Sequence, residues 1–110
     1  MAKLSLYELH ASICQVLGNP KRLEIIDRLR DGEKSVTELT SAIEVSQSNL
    51  SQHLALMRQK GIVLARREGV NVYYQLADPK ILKACDLMRQ VLLEHLQAGA
   101  EVAQAARGKP

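Results

Sequence analysis

The chain predicts a mainly α domain with one small β-hairpin, and two adjoining stretches carry the prediction. The first, SQSNLSQHLALM from Ser46 to Met57, sets Leu50, Leu54 and Met57 at helical spacing, so they share a face that looks to a core. Ser48, Ser51, Gln52, Ala55 and Gln59 fall on the other face, which is small, polar and free of carboxylate. The second, IVLARREGVNVYYQL, reads as two strands meeting at Gly69, with Arg66 and Arg67 near the tip. A helix with a small polar face followed by a basic hairpin is the layout of a winged helix-turn-helix.

The remaining elements follow in order. Leu4 to Leu17 reads as a first helix, with Leu6, Leu9, Ile13, Val16 and Leu17 on one side. Gly18-Asn19-Pro20 breaks it; Asn19 can cap the next helix and Pro20 suits its first position. The second helix, KRLEIIDRLRDG, packs Leu23, Ile26 and Leu29 and stops at Gly32. Ser35 or Thr37 opens the third, with Glu38 at capping-box spacing from Ser35 and Leu39, Ala42 and Ile43 as its apolar residues. Ser46 caps the fourth helix, which runs to about Lys60. The strands are Ile62 to Glu68 and Val70 to Leu76. A last helix begins near Lys80 and continues to about Gly99, with Ile81, Cys85, Met88, Leu92 and Leu96 along one side. The order is helix-helix-helix-helix-strand-strand-helix in a single domain over residues 1–110, with 99–110 a tail that extends the last helix or frays.

Composition bounds the rest. At 110 residues a single modest core is expected. Hydrophobic residues make up 46% of the chain but aromatics only 3%, so that core is aliphatic. The formal net charge of +3 is compatible with nucleic acid without pointing to it alone. No run approaches the roughly 18 apolar residues of a membrane span, and MAKLSLYELH carries no signal-peptide pattern, so a cytoplasmic protein without a membrane partner is expected. Two cysteines, Cys14 and Cys85, are too few and too distant in sequence for a disulfide scaffold. The first and last helices hold more apolar surface than a small core can cover, which predicts a homodimer through them. Such a dimer presents two reading helices to palindromic double-stranded DNA at half-sites about one helical turn apart.

Three runs, NPKRLEIIDRL, SVTELTSAIEVSQSNLSQHLALMRQKGIV and RREGVNVYYQL, together resemble the ArsR/SmtB family of winged-helix repressors over roughly Leu9 to Leu96. The resemblance implies a homodimeric repressor that occupies an operator and is released by an inducer. Carried over by position, it places DNA contacts on Gln47, Ser48, Ser51, Gln52 and His53 of the fourth helix and on Arg66, Arg67 and Asn71 of the wing. Their chemistry fits: Gln pairs with adenine, and wing arginines suit phosphate or a narrow minor groove. His53 borders the buried face, so a structural or phosphate-contacting role precedes base reading there. Arg58 and Lys60 read as backbone contacts or solvated charges.

The inducer is less legible. The family's thiol pair in the third helix is replaced by Leu39-Thr40-Ser41-Ala42. For its last-helix metal site, Asp78 matches a first ligand, but Lys80, Val91 and Glu94 stand where others are expected. Cys14 and Cys85 remain, one on each helix assigned to the dimer. Three readings stay open: a thiol sensor in which an oxidant or reactive sulfur species links them, a metal or metalloid site of Cys14, Cys85 and His10 or His95, and two buried structural cysteines. Family members that sense reactive sulfur use two cysteines, but their first sits in the second helix, where this chain has Ile26-Asp27. No cofactor is otherwise expected. Nothing in the chain resembles a catalytic triad, a phosphate loop or a paired-carboxylate site, so an enzyme is not expected. A winged-helix protein-interaction module without DNA binding is the other alternative, and the carboxylate-free reading face argues for DNA over it.

Overall fold

A computed structural model describes residues 3–108. The elements are α1 (Leu6–Leu17), α2 (Pro20–Arg28), β1 (Lys34–Ser35), α3 (Val36–Ala42), α4 (Gln47–Gln59), β2 (Val63–Glu68), β3 (Asn71–Leu76) and α5 (Pro79–Gly108). The expected helices and hairpin are all present. The short strand β1 is an addition: it pairs antiparallel with β3, Lys34 opposite Tyr74 and Ser35 opposite Tyr73, so the sheet has three strands in the order β1-β3-β2. Two residues, the second of them the cap of α3, carry no periodicity, and the pairing depends on partners 40 and 38 positions away.

Side chains start the helices where the sequence puts them. Ser35 Oγ accepts from the Glu38 amide, and Glu38 Oε1 accepts from the Ser35 amide, both at 3.1 Å. This capping box satisfies two orphan donors and settles Ser35, not Thr37, as the start of α3. A second box at α1, Ser5 with Glu8, shortens that helix from the expected Leu4 start. Asn19 Oδ1 accepts from the amides of Lys21 and Arg22, with Pro20 at the first position of α2. Ser46 Oγ accepts from the Asn49 amide and opens α4. At the far end α5 does not stop near Gly99 but continues to Gly108; Lys109 and Pro110 lie outside the described residues.

The core is aliphatic: Val16, Ile25, Ile26, Leu29, Leu39, Ile43, Leu50, Leu54, Met57, Ile62 and Val63. Leu50, Leu54 and Met57 are each 0% exposed, so the stripe read from the sequence of α4 is its buried face. In α2 the adjacent pair Ile25 and Ile26 is fully covered while Leu23 is only half-buried. Tyr74, Leu76, Ile81, Leu82 and Cys85 close the core from the side of β3 and α5.

Charges fasten α5 to α2. Arg30 pairs bidentately with Asp86, at 2.9 and 2.8 Å, and also reaches Asp27 at 2.7 Å. Arg89 adds longer contacts to both carboxylates. Hydrogen bonding from Arg30 holds the Asp27 and Asp86 carboxyls below the usual carboxylate range. Beyond this clasp α5 leaves the body. Leu87, Met88, Val91, Leu92, Leu93, Leu96 and Val102 are exposed, as are Leu4, Leu6, Tyr7 and Leu9 at the other end of the chain. Among the described residues no helix is long and apolar enough to cross a membrane.

Candidate nucleic-acid interface

Helix α4 presents its polar face outward because its apolar residues recur three and four apart and are consumed by the core. Gln47, Ser48, Ser51, Gln52 and Ala55 are all exposed. Ser48 Oγ lies 3.4 Å from the capping Ser46 Oγ. From Val45 to Arg67 the chain has no acidic residue, while Arg58, Lys60, Arg66 and Arg67 contribute positive charge. The face therefore offers short hydrogen-bonding groups without a carboxylate to repel phosphate.

His53 sits at the margin of that face and is half-buried. Its Nδ1 accepts from Arg22 Nε at 3.2 Å, while Arg22 Nη1 donates to the Val16 carbonyl at 3.1 Å. Burial first, and the nearby Arg22 charge second, push the imidazole pKa below its ordinary value, which favours the neutral ring that accepts at Nδ1. One guanidinium thus joins the end of α1, the start of α2 and α4. Sequence reasoning gave Arg22 no role; its spacing from His53 is long and only the packing of α2 on α4 joins them. Lys60 is likewise engaged: its Nζ donates to Ser12 Oγ of α1 at 2.6 Å.

The wing turns in two residues, Gly69 and Val70, between the paired Glu68 and Asn71. Only Gly69 has positive φ, at 62°, the signature of a hairpin turn with glycine at its first central position. Arg66 and Arg67 are neighbours in sequence and so lie on opposite faces of β2. Arg67 is opposite Val72 and exposed, and Asn71 is exposed beside the tip. Arg66 is occupied: Nη2 lies 2.6 Å from Glu33 Oε1, Nη1 2.6 Å from Glu68 Oε2, and its guanidinium carbon stands 4.7 Å from the centre of the Tyr73 ring.

Among the described residues the candidate sensing residues form no three-donor metal group within one chain. Cys14 is exposed on α1; Cys85 is half-buried against the core, and burial raises its thiol pKa. His10 and His95 are exposed. Among the described residues no three His, Cys, Asp or Glu side chains gather in one chain, so a metal held by Cys14, Cys85 and His10 or His95 needs donors from two copies.

Known proteins with this architecture are numerous. Residues 19–64 match the family of bacterial regulatory proteins called arsR. The chain is 37% identical over 105 residues to the HTH-type transcriptional regulator Rv0081 of Mycobacterium tuberculosis, covering 86% of this chain and 92% of that one. The crystal structure of Rv0081 superposes with a TM-score of 0.80 over 89% of this chain and 99% of that chain, at 35% identity. The transcriptional activator HlyU of Vibrio cholerae is 39% identical over 79 residues, 72% of this chain and 73% of HlyU. A homodimeric winged helix-turn-helix DNA-binding domain, Mb0332 of Mycobacterium bovis, matches with a TM-score of 0.77 at 32% identity, covering 89% and 95% of the two chains. With the winged fold, the carboxylate-free face of α4 and near full-length relatives in agreement, the chain belongs to the ArsR family of DNA-binding transcriptional regulators.

Proposed function

We propose that the protein is a transcriptional repressor that binds a palindromic operator as a homodimer and is released by a thiol-reactive signal. The observation that carries the DNA-binding half is the outward face of α4, with Gln47, Ser48, Ser51 and Gln52 exposed and no carboxylate between Val45 and Arg67. In this reading those four side chains enter the major groove, where amides and hydroxyls of this size reach base edges. Arg67 and Asn71 reach the flanking backbone or minor groove from the wing. His53 orients α4 through Arg22 and leaves its Nε2–H for a phosphate.

The exposed apolar residues of α1 and α5 support the dimer. Leu6, Leu9, Met88, Leu92 and Leu96 are each more than half exposed in the single chain, more apolar surface than a monomer of this size ordinarily leaves in water. A two-fold pairing through these helices covers it and sets the spacing of the two copies of α4.

The release step is assigned to Cys14 and Cys85. Cys14 is exposed and is the thiol that a peroxide meets first. Its thiolate takes one peroxide oxygen to give a sulfenic acid with loss of water or hydroxide. Attack by the Cys85 thiol on that sulfur then forms the disulfide and releases a second water. An organic persulfide transfers its outer sulfur to Cys14 and leaves as its thiol; attack by Cys85 on the Cys14 sulfur then forms the same disulfide and expels hydrogen sulfide. Because the two cysteines lie on the helices assigned to the dimer, the link alters the separation of the recognition helices. A coupling of about 1–3 kcal/mol changes operator affinity roughly 5- to 150-fold.

A duplex selected from a random library by the reduced protein, followed by gel shifts across salt concentrations, tests the reading. Steep weakening with salt, and weakening again on peroxide treatment only when both cysteines are present, is the expected result. Failure to select any duplex removes DNA binding and leaves a protein-interaction module. Equal release of wild type and of a Cys14→Ser, Cys85→Ser double variant removes the thiol switch alone.

A further inference from the structure

The sheet of the wing carries a strap over its outer face. Glu33 immediately precedes β1, Tyr73 lies on the central strand β3, and Arg66 lies on β2 directly opposite Tyr73. Adjacent strands are about 4.8 Å apart, so the two flanking strands are separated by roughly twice that. The Arg66 side chain crosses this distance by lying over the Tyr73 ring, 4.7 Å from its centre, and ends in a fork on Glu33. Nη2 to Oε1 is 2.6 Å and Nε to Oε2 is 3.3 Å, a two-point contact that fixes the plane of the guanidinium. The remaining nitrogen, Nη1, is taken by Glu68 of the same strand at 2.6 Å. Every nitrogen of the guanidinium therefore faces a carboxylate, and the Glu33 carboxyl is held below the usual range by its bond from Arg66.

We infer that Arg66 is a positioning residue of the wing: it fastens the hairpin to the segment between α2 and β1 and leaves the DNA contact to Arg67 and Asn71. The inference rests on the DNA-binding reading above. A guanidinium met by two carboxylates has little net charge to offer a phosphate, whereas Arg67, one residue on and on the other face, is exposed. Arg66 also holds more than the tip. Glu33 follows the segment in which Asp27 and Arg30 grip Asp86 and Arg89 of α5. The same stretch of chain, Asp27 to Glu33, is thus tied to α5 at one end and to the wing at the other. The orientation of the wing is referred to α5 and not to the turn at Gly69.

The two possible roles of Arg66 predict opposite signs for a change at Glu33. If Arg66 met phosphate, Glu33 would be its competitor, and Glu33→Gln would free the guanidinium and tighten binding. If Arg66 positions the wing, Glu33→Gln loosens it and weakens binding although a negative charge has been removed. The experiment measures affinity for the duplex selected by the wild-type protein, across a salt series, for Glu33→Gln, Arg66→Gln, the double variant and Arg66→Lys. Expected are losses of about 3- to 10-fold for each single variant and a double variant no worse than the weaker single, since contacting residues are not additive. Expected too is an unchanged slope of log affinity against log salt for Arg66→Gln. Arg66→Lys, which keeps the charge but not the fork, should behave as Arg66→Gln. Tighter binding by Glu33→Gln, or a slope reduced by about 0.9 in Arg66→Gln, overturns the inference. If the library yields no duplex, the DNA-binding reading has failed first. As a readout that needs no DNA, the Arg66 Nε–H resonance should shift in Glu33→Gln and stay in place in Arg67→Gln.

Discussion

Arg22 donates from Nε to His53 Nδ1 across 3.2 Å and from Nη1 to the Val16 carbonyl across 3.1 Å, so a single guanidinium ties α4 to the ends of two other helices. The bond requires an unprotonated Nδ1, which makes it sensitive to acid. Burial and the Arg22 charge lower the pKa of His53 in the folded protein, while the unfolded chain titrates near 6.5. Below that value the unfolded chain takes up a proton that the folded one refuses. Stability is therefore complete above pH 6.5 and falls as pH drops towards the folded pKa. His53→Asn places an amide oxygen near Nδ1 and removes the titration. Urea unfolding at about pH 7.5 and about pH 5.5 should show a smaller loss for His53→Asn than for wild type. An equal loss in both would assign the acid sensitivity to other groups.

Leu54 is fully buried at the middle of α4, opposite the face proposed to meet DNA. Leu54→Ala should destabilise the fold by about 2–5 kcal/mol, the range for removing a buried leucine side chain. Ala55 is the next residue but exposed. Ala55→Ser should leave the denaturant midpoint almost unchanged, since substitutions away from buried features move stability by only about 0.5 kcal/mol. A comparable loss at both positions would contradict the assigned orientation of the helix.

The two thiols differ in access and in acidity. Cys14 is exposed, whereas Cys85 is packed on the core with its pKa raised by burial. Because the thiolate is the reactive form, alkylation at neutral pH should modify Cys14 first and Cys85 slowly. Peptide mass mapping over a time course follows both sites at once. Faster labelling of Cys85 would mean that the core opens around it and that the order proposed for the oxidation is reversed.

What the sequence made legible was local. The stripe Leu50, Leu54 and Met57 is a periodicity within one helix, and the caps at Asn19, Ser35 and Ser46 are bonds between residues two or three apart, so both can be read without a fold. The contacts that give the site its geometry are not local. Arg22 meets His53 from another helix, Lys60 meets Ser12 across the body, and Glu33 meets Arg66 over the sheet. The Arg66-Arg67 pair illustrates the difference. Composition offers two wing arginines as equivalents, but strand alternation separates their faces; Glu68, two residues on, meets Arg66 from the same strand, and the pairing of β1 brings Glu33 to it from across the sheet. The length of α5 was hidden for another reason: beyond Gly99 the apolar residues are Val102 and four alanines, good helix formers whose small side chains give little contrast between faces.

Gln52 and Arg67 provide the sharpest separation between reading a sequence and holding a backbone. Gln52 is exposed on the outer face of α4, one residue from the fixed His53, so its amide is presented by a rigid element and can pair with the edge of a single base. Gln52→Ala should cost about 1–3 kcal/mol on the selected duplex, mostly at one base pair, and relax the preference there. Arg67 is exposed on the wing, and in the proposed interface its charge meets phosphate whatever the sequence. Arg67→Gln should weaken selected and scrambled duplexes alike and lower the salt slope by about 0.9. Selection from a random library with each variant, combined with salt titration, reads both effects. A uniform loss for Gln52→Ala, or a loss of sequence preference for Arg67→Gln, would exchange the roles and place the wing, not α4, as the element that reads bases.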